Sequence, residues 1–197
     1  MNAYRQNIVQ QHPGSMLAVL FEAVKVPTFP PMPVKPDGTK DSTYPWQYVK
    51  DHFWDNVNFY DGRLLHTPFF DSKVNDYLDN YISQQPDSVI DAVNYMLLSS
   101  RSNDKMFQYL LAKFTDKYIN PEIMGQDKVF LFLFNNYFSK GDTSWLSAGQ
   151  KKYIFDRAYS IIANQLGEAA PQLNLVDSSG KSLSLYDVKA PFTFVIF

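Results

Sequence analysis

Apolar positions recur at helical spacing from the start of the chain to about residue 166, and alternate after it. "NAYRQNIVQQHPGSMLAVLFEAV" predicts two short helices broken at His12-Pro13-Gly14, with Ser15 placed to cap the second. Five of the eleven residues from Val26 to Pro36 are proline, so residues 26–44 are expected as an extended connector. In "YPWQYVKDHFWDNVNFY", Pro45 suits a first helical turn, and Trp46, Val49, Phe53 and Val57 predict a helix over Tyr44–Tyr60. Further helices are expected from about Asp71 to Ile82, from Pro86 and from Asn103-Asp104. Their apolar faces carry Val74, Tyr77, Leu78 and Tyr81; Val89, Val93, Met96 and Leu97; and Phe107, Leu110, Leu111, Phe114 and Tyr118. "KVFLFLFNNYF" fits a buried strand or a helix by pattern; its helical neighbours and its continuation through Tyr137 and Phe138 favour helix. Ser147 and Gln150 form a capping box for a last helix striped by Ile154, Ala158, Ile161 and Gln165, with Gly167 as its terminator.

Beyond Gly167, "PQLNLVD" alternates with Leu173 and Leu175 on one face, "SSGK" is a turn, and "SLSLYDV" gives a second strand leading into a helical turn. "APFTFVIF" then predicts a strand buried on both faces. The expected fold class is therefore mainly α, an irregular antiparallel helical bundle or a helix-pair stack, followed by a short β segment. No 34-residue self-similarity marks a tetratricopeptide-type solenoid. The change of pattern places a boundary at residues 165–171, between a helical domain over 1–166 and a β fragment over 167–197.

Composition narrows the function classes. At 45% apolar and 16% aromatic residues a substantial core can form, and a net charge of −2 gives no basic footprint for nucleic acid. The longest apolar runs, Met16 to Phe21 and Val129 to Phe134, fall short of a bilayer span, and "MNAYRQNIVQQHPGS" lacks the apolar core of a signal peptide. Cysteine is absent, which excludes a disulfide, a thiol nucleophile and a thiolate ligand within these residues.

Candidate chemistry is sparse. His12, His52 and His66 lie far apart without metal-ligand spacing, and no phosphate-binding loop, dinucleotide fingerprint or nucleophile elbow occurs, so neither metal nor cofactor is expected. Asp51 and Asp55, with His52 beside them, would share one helical face, where a solvated surface outweighs acid–base chemistry. The aromatic cluster around Trp46, Tyr48, Phe53, Trp54, Phe59 and Tyr60 reads first as core. Its functional alternative is an exposed patch for a protein or peptide partner, formed by Trp46, Tyr48, Trp54, Phe59 and Tyr60. Arg63 and Arg101 are further candidates, since a guanidinium beside such a cluster can pair with a helix C-terminus or bind a carboxylate, the structural role coming first.

Gly167, Ala170-Pro171, Leu173, Leu175, Asp177, Gly180-Lys181, Ser184-Leu185, Val188 and the run Phe192 to Phe197 keep a particular order and spacing. This tail resembles the start of the thioredoxin-fold domains of the peroxiredoxin and extracytoplasmic thiol–disulfide oxidoreductase superfamily. There a strand ending in Phe is followed by Trp-x-x-x-Cys-x-x-Cys. "YRQNIVQQHPGSMLAVLF" and "DGRLLHTPFFDSKVNDYLDNYI" also resemble a helical region upstream of such domains in exported, often lipid-anchored, oxidoreductases of Bacteroides-type bacteria.

The resemblance implies an accessory or interaction domain of a periplasmic or outer-surface oxidoreductase, cut just before the Cys-x-x-Cys pair and inactive by itself in thiol exchange. The alternative is a stand-alone helical module that binds a protein or peptide and has no redox role. Open strand edges at Phe192 to Phe197 further predict a dimer or another strand-mediated contact.

Overall fold

A computed structural model of the chain describes residues 2–34, 36, 38–141, 143–165, 167, 169 and 172–194. Helix α1 (Asn2–Gln11) and helix α2 (Met16–Ala23) are separated by the Pro13-Gly14 turn, and the Ser15 hydroxyl accepts from the Ala18 amide at 3.1 Å, capping α2. The proline-rich connector carries no helix, and a single β-bridge joins Val34 to Lys40. Helix α3 (Tyr44–Asp51) has Pro45 in its first turn but ends nine residues short of Tyr60. The reason is local competition. Beyond His52 the Phe53, Asp55 and Val57 amides donate three residues back, to Lys50, His52 and Trp54, and the Asn58 side chain accepts the Tyr60 amide at 2.9 Å, so "DHFWDNVN" folds into turns. Phe53 and Val57 are buried nonetheless.

A 3₁₀ turn (Gly62–His66) is started by Asp61, whose carboxylate accepts the Arg63 amide. Helix α4 (Pro68–Asp76) begins at its proline, earlier than the expected Asp71, and runs into a π-helical turn at Tyr77–Tyr81. Helices α5 (Pro86–Ser99), α6 (Asp104–Tyr118) and α7 (Asp127–Leu133) follow, the last ending in a second π turn at Phe134–Phe138. "KVFLFLFNNYF" is thus helical. Its wide final turn keeps the neighbours Tyr137 and Phe138 both inside. Asn103 caps α6 by accepting the Met106 amide at 3.0 Å and also donates to the Tyr60 carbonyl at 2.9 Å. A Cβ on Gly62 would come within 3.1 Å of that side chain, so glycine is what fits beside it.

Polar contacts between these helices fall at similar sequence separations, from 38 to 43 residues. Asp71 of α4 meets Tyr109 and Lys113 of α6 at separations of 38 and 42 residues, and Asp79 meets Lys117 at 38. Asp87 of α5 meets Lys128 of α7 at 41, and Asn94 meets Tyr137 at 43. Both sets run in ascending order, so α4 lies parallel to α6 and α5 parallel to α7. The α4–α5 pair is stacked on the α6–α7 pair. Of the two architectures open to the periodicity, this part of the chain takes the helix-pair stack. Val89, Val93, Met96, Leu110, Leu111 and Phe114 are fully enclosed within it.

The chain divides into two compact units, Met1–Trp145 and Leu146–Phe197. The boundary expected at residues 165–171 falls inside the second, which begins with helix α8 (Ala148–Ile161). Its Ser147–Gln150 capping box is complete, and Ile154, Ala158 and Ile161 are buried. The helix closes at Ile162, so Gly167 lies beyond its cap rather than in it.

Strands β1 (Asn174–Val176) and β2 (Ser182–Ser184) pair antiparallel, Leu175 opposite Leu183, and a 3₁₀ turn covers Leu185–Asp187. Gly180, at φ +84°, makes the tight connection. The expected buried strand at Phe192 is not formed: Phe192 and Phe194 are 85% and 91% exposed and belong to no strand. Among the described residues the sheet has two strands, so no partner accepts backbone hydrogen bonds from this segment. Residues 195–197, the rest of that expectation, lie outside the described residues.

Candidate functional site

The five aromatic residues expected as a partner patch do not share one surface. Trp54 and Phe59 are core residues, with ring centroids 5.3 Å apart, and Phe59 reaches Phe70 at 6.2 Å. Tyr48, half-buried on α3, lies against the His52 ring at 4.1 Å. Trp46 stays 47% exposed and stacks on Tyr81 at 6.3 Å with an interplanar angle of 11°, while Tyr60 is 66% exposed. The patch is corrected to two separate surface rings over a buried cluster. The physical cause is the early end of α3. Once the chain leaves the helix at His52, Trp54 and Phe59 are carried inward instead of around the helical face.

Two clefts flank the start of the connector in the first unit. The larger, about 730 Å³, is walled by Arg5, Phe21, Lys25, Tyr48, His52 and Asp55. The Arg5 guanidinium sits 5.5 Å from the Phe21 ring centre, and His52 Nδ1 lies 2.6 Å from Asp55 Oδ2. Asp55 lies beyond α3 and engages His52, so the expected helical face shared by Asp51 and Asp55 is not formed.

The smaller cleft, about 330 Å³, is mainly apolar and is bordered by Val24, Val26, Pro27, Val49, Phe53 and Lys73. The Lys73 ammonium lies 4.4 Å from the ring centre of Phe53, 5.8 Å from Trp54 and 5.6 Å from Phe69. Burial pulls it below the usual lysine range, and the Asp76 carboxylate opposes that shift. Lys73 was not among the sequence candidates. Its signal was Phe69 four residues earlier, a spacing that sets the amine over a ring.

The two arginines do structural work. Arg63 clamps Asp61 through Nε at 2.8 Å and Nη2 at 2.5 Å, and its Nη1 donates to the Gly14 carbonyl at 3.0 Å, tying the α1–α2 turn to the 3₁₀ turn. That clamp holds the Asp61 carboxyl below its ordinary range. Arg101 lies over Phe107 at 4.3 Å and Tyr137 at 5.3 Å. Asp71 is likewise lowered, first by the Lys113 ammonium and then by the Tyr109 hydroxyl, and the Tyr109 phenol is pushed up by burial and by Asp71. Among the described residues no three His, Asp or Glu side chains gather as a metal site, and no helix is long and apolar enough to cross a membrane.

With this geometry in view, a solved thioredoxin-like protein from Bacteroides caccae ATCC 43185 shares the fold, with a TM-score of 0.52 over 84% of the chain at 21% identity. The chain spans 59% of that protein's length. Residues 167–197 are too few to make up that coverage, so the likeness extends over the helices. No curated protein matches the chain. The helical residues also carry the family assignment: over residues 7–162 the chain belongs to DUF5106, a domain of unknown function.

Proposed function

We propose that the chain is the accessory and interaction domain of a thioredoxin-like thiol–disulfide oxidoreductase that works outside the cytoplasm, joined to the opening strands of its redox domain. The observation that carries this reading is the β1–β2 hairpin. Leu175, Val176, Leu183, Phe192 and Phe194 are exposed, as expected of a sheet that continues into elements able to cover them. The likeness to a thioredoxin-like protein longer than this chain supports it. In this reading the helix pairs position the redox domain or recruit its protein substrate.

Thiol exchange begins with a thiolate, and these 197 residues contain no cysteine, so the chain is inactive by itself. The test is to read the gene beyond the Phe197 codon and assay both polypeptides for insulin reduction. A Cys-x-x-Cys within about ten codons, with activity in the longer polypeptide alone, supports the proposal. A stop codon there overturns it.

The second reading, a stand-alone protein- or peptide-binding module, is favoured by the larger cleft and by the exposed Trp46 and Tyr60. In either case the unpaired edges of the two-stranded sheet favour self-association through the tail. Sedimentation that gives a monomer with a protease-resistant tail would remove that part of the proposal.

A further inference from the structure

The 330 Å³ cleft is assembled from several segments: Val24 closes α2, Val26 and Pro27 open the connector, Val49 comes from α3, Phe53 follows α3, and Phe69 lies in the first turn of α4. Its volume is at the lower end of the range for small-molecule pockets. Its wall carries a cation whose donors are unspent. Among the described residues Lys73 makes neither an ion pair nor a hydrogen bond, and its ammonium faces the three rings of Phe53, Trp54 and Phe69. Ring faces offset the charge of an ammonium but leave its three N–H groups without strong acceptors. Asp76, the acid that also lines the cleft, is exposed and accepts from the Asn80 amide at 2.7 Å.

A partly desolvated single positive charge beside an apolar hollow is complementary to a molecule with a hydrocarbon body and one negative end. A doubly charged phosphate would leave one charge uncompensated among apolar walls and would meet Asp76 at the rim. We propose that this cleft is a binding site for a small apolar monocarboxylate. The carboxylate accepts hydrogen bonds from Lys73 Nζ, and the hydrocarbon chain lies against Val24, Pro27, Val49 and Phe53. Burial already weakens the charged form of Lys73, and an incoming carboxylate restores it, so recognition and desolvation act on the same atom. The site is independent of the redox reading, since every residue it uses belongs to the first compact unit.

Calorimetric titration of the full chain with nonanoate, octanol and octylamine near neutral pH, followed by octanoate as the eight-carbon acid, tests the proposal, because the first three probes share an octyl tail and differ in their head groups. Both acids are expected to bind about tenfold more tightly than octanol, with octylamine weakest, the discrimination a charge-assisted hydrogen bond supplies. Lys73→Met should remove that preference while leaving octanol affinity in place, and Lys73→Arg should retain part of it. Val49→Trp, which fills the cleft and leaves Lys73 untouched, should abolish binding of every probe. Tightest binding of octylamine would assign recognition to Asp76 and overturn the proposal. Equal affinity for the first three probes, or no binding of any, would overturn it as well.

Discussion

The helix pairs and the terminal hairpin are held by different forces. Between α4 and α7 the apolar side chains enclose one another, with Val93, Met96, Leu110 and Phe114 wholly removed from water. The hairpin has a defined register, yet Leu175 and Leu183, opposite each other, are both exposed, and so is Val176. What fixes its shape is a polar turn. The Asp177 carboxylate accepts from the Ser179 amide at 2.8 Å, the Ser179 hydroxyl at 2.6 Å and the Lys181 amide at 3.0 Å. Those bonds, the Ser179 side chain first, hold its pKa below the ordinary carboxylate value. Burial makes the first region a folding unit. The second is a local conformation whose described apolar residues stay exposed.

The largest expected effects separate the regions most sharply. Phe114→Ala should destabilise the helical part by about 3–5 kcal/mol, because it empties an enclosed site that cannot collapse. Phe194→Ala removes a ring already in water and should stay within about 0.5 kcal/mol. Urea unfolding of both variants checks this, and a loss at Phe194 matching that at Phe114 would break the comparison. Asp177→Ala comes next. It removes the turn's acceptor from a two-stranded hairpin that is marginal by nature, and should loosen the hairpin locally. Hydrogen exchange should then show the Leu175 and Leu183 amides losing protection while those of α5 keep theirs.

Asp71→Asn tests the polar contacts within the stack. It weakens the contacts of Lys113 and Tyr109 together and should cost about 1 kcal/mol. The pH dependence carries a sign. The folded-state pKa of Asp71 is depressed, so its contribution is complete above the unfolded carboxylate value of about 3.9 and is lost as pH falls through the lower folded value. Acid unfolding of the asparagine variant should lack that component, which a shallower stability profile below about pH 4 would reveal.

These contrasts also explain what was legible in the sequence. Helical faces such as Val89-Val93-Met96 and Leu110-Leu111-Phe114 could be read directly, because burial dictates their spacing. Caps at Ser15 and Ser147 were visible for the same reason, since each satisfies amides of its own helix. The end of α3 was not legible. The pattern Trp46-Val49-Phe53-Val57 fits a helix, but the backbone closes into turns after His52 and the Asn58 side chain takes the Tyr60 amide, neither of which the apolar spacing records. The stack offset was hidden because it is carried by pairs such as Asp71–Lys113 and Asn94–Tyr137, which share a similar separation and no residue type. Lys73 escaped notice because its rings come from two places in the chain, Phe53-Trp54 and Phe69, and only Phe69 shares its helix. Of "FTFVIF" only Phe192–Phe194 belongs to the described residues, and there apolar β-prone residues state what a strand needs without pairing to the described sheet, Phe192 and Phe194 both staying exposed.

The smallest effect expected is at Lys128. Its ammonium lies 2.6 Å from the Asp87 carboxylate, as close as the Lys113–Asp71 pair at 2.7 Å, and each pair bridges parallel helices in the stack. Geometry alone would give them equal weight. Exposure separates them: the Lys128 and Asp87 side chains are 55% and 79% exposed, whereas the Lys113 side chain is 17% exposed and Asp71 also serves Tyr109. Water and salt screen the first pair, so Lys128→Ala should change stability by no more than about 0.5 kcal/mol. The α5–α7 register should survive it, because Val89, Val93 and Met96 on one helix and Val129, Phe130 and Leu133 on the other are enclosed whether or not the ions meet. Urea unfolding of the variant at low and high salt decides the point. A loss above about 1 kcal/mol that salt abolishes would mean that charge, and not burial, sets the register of the stack.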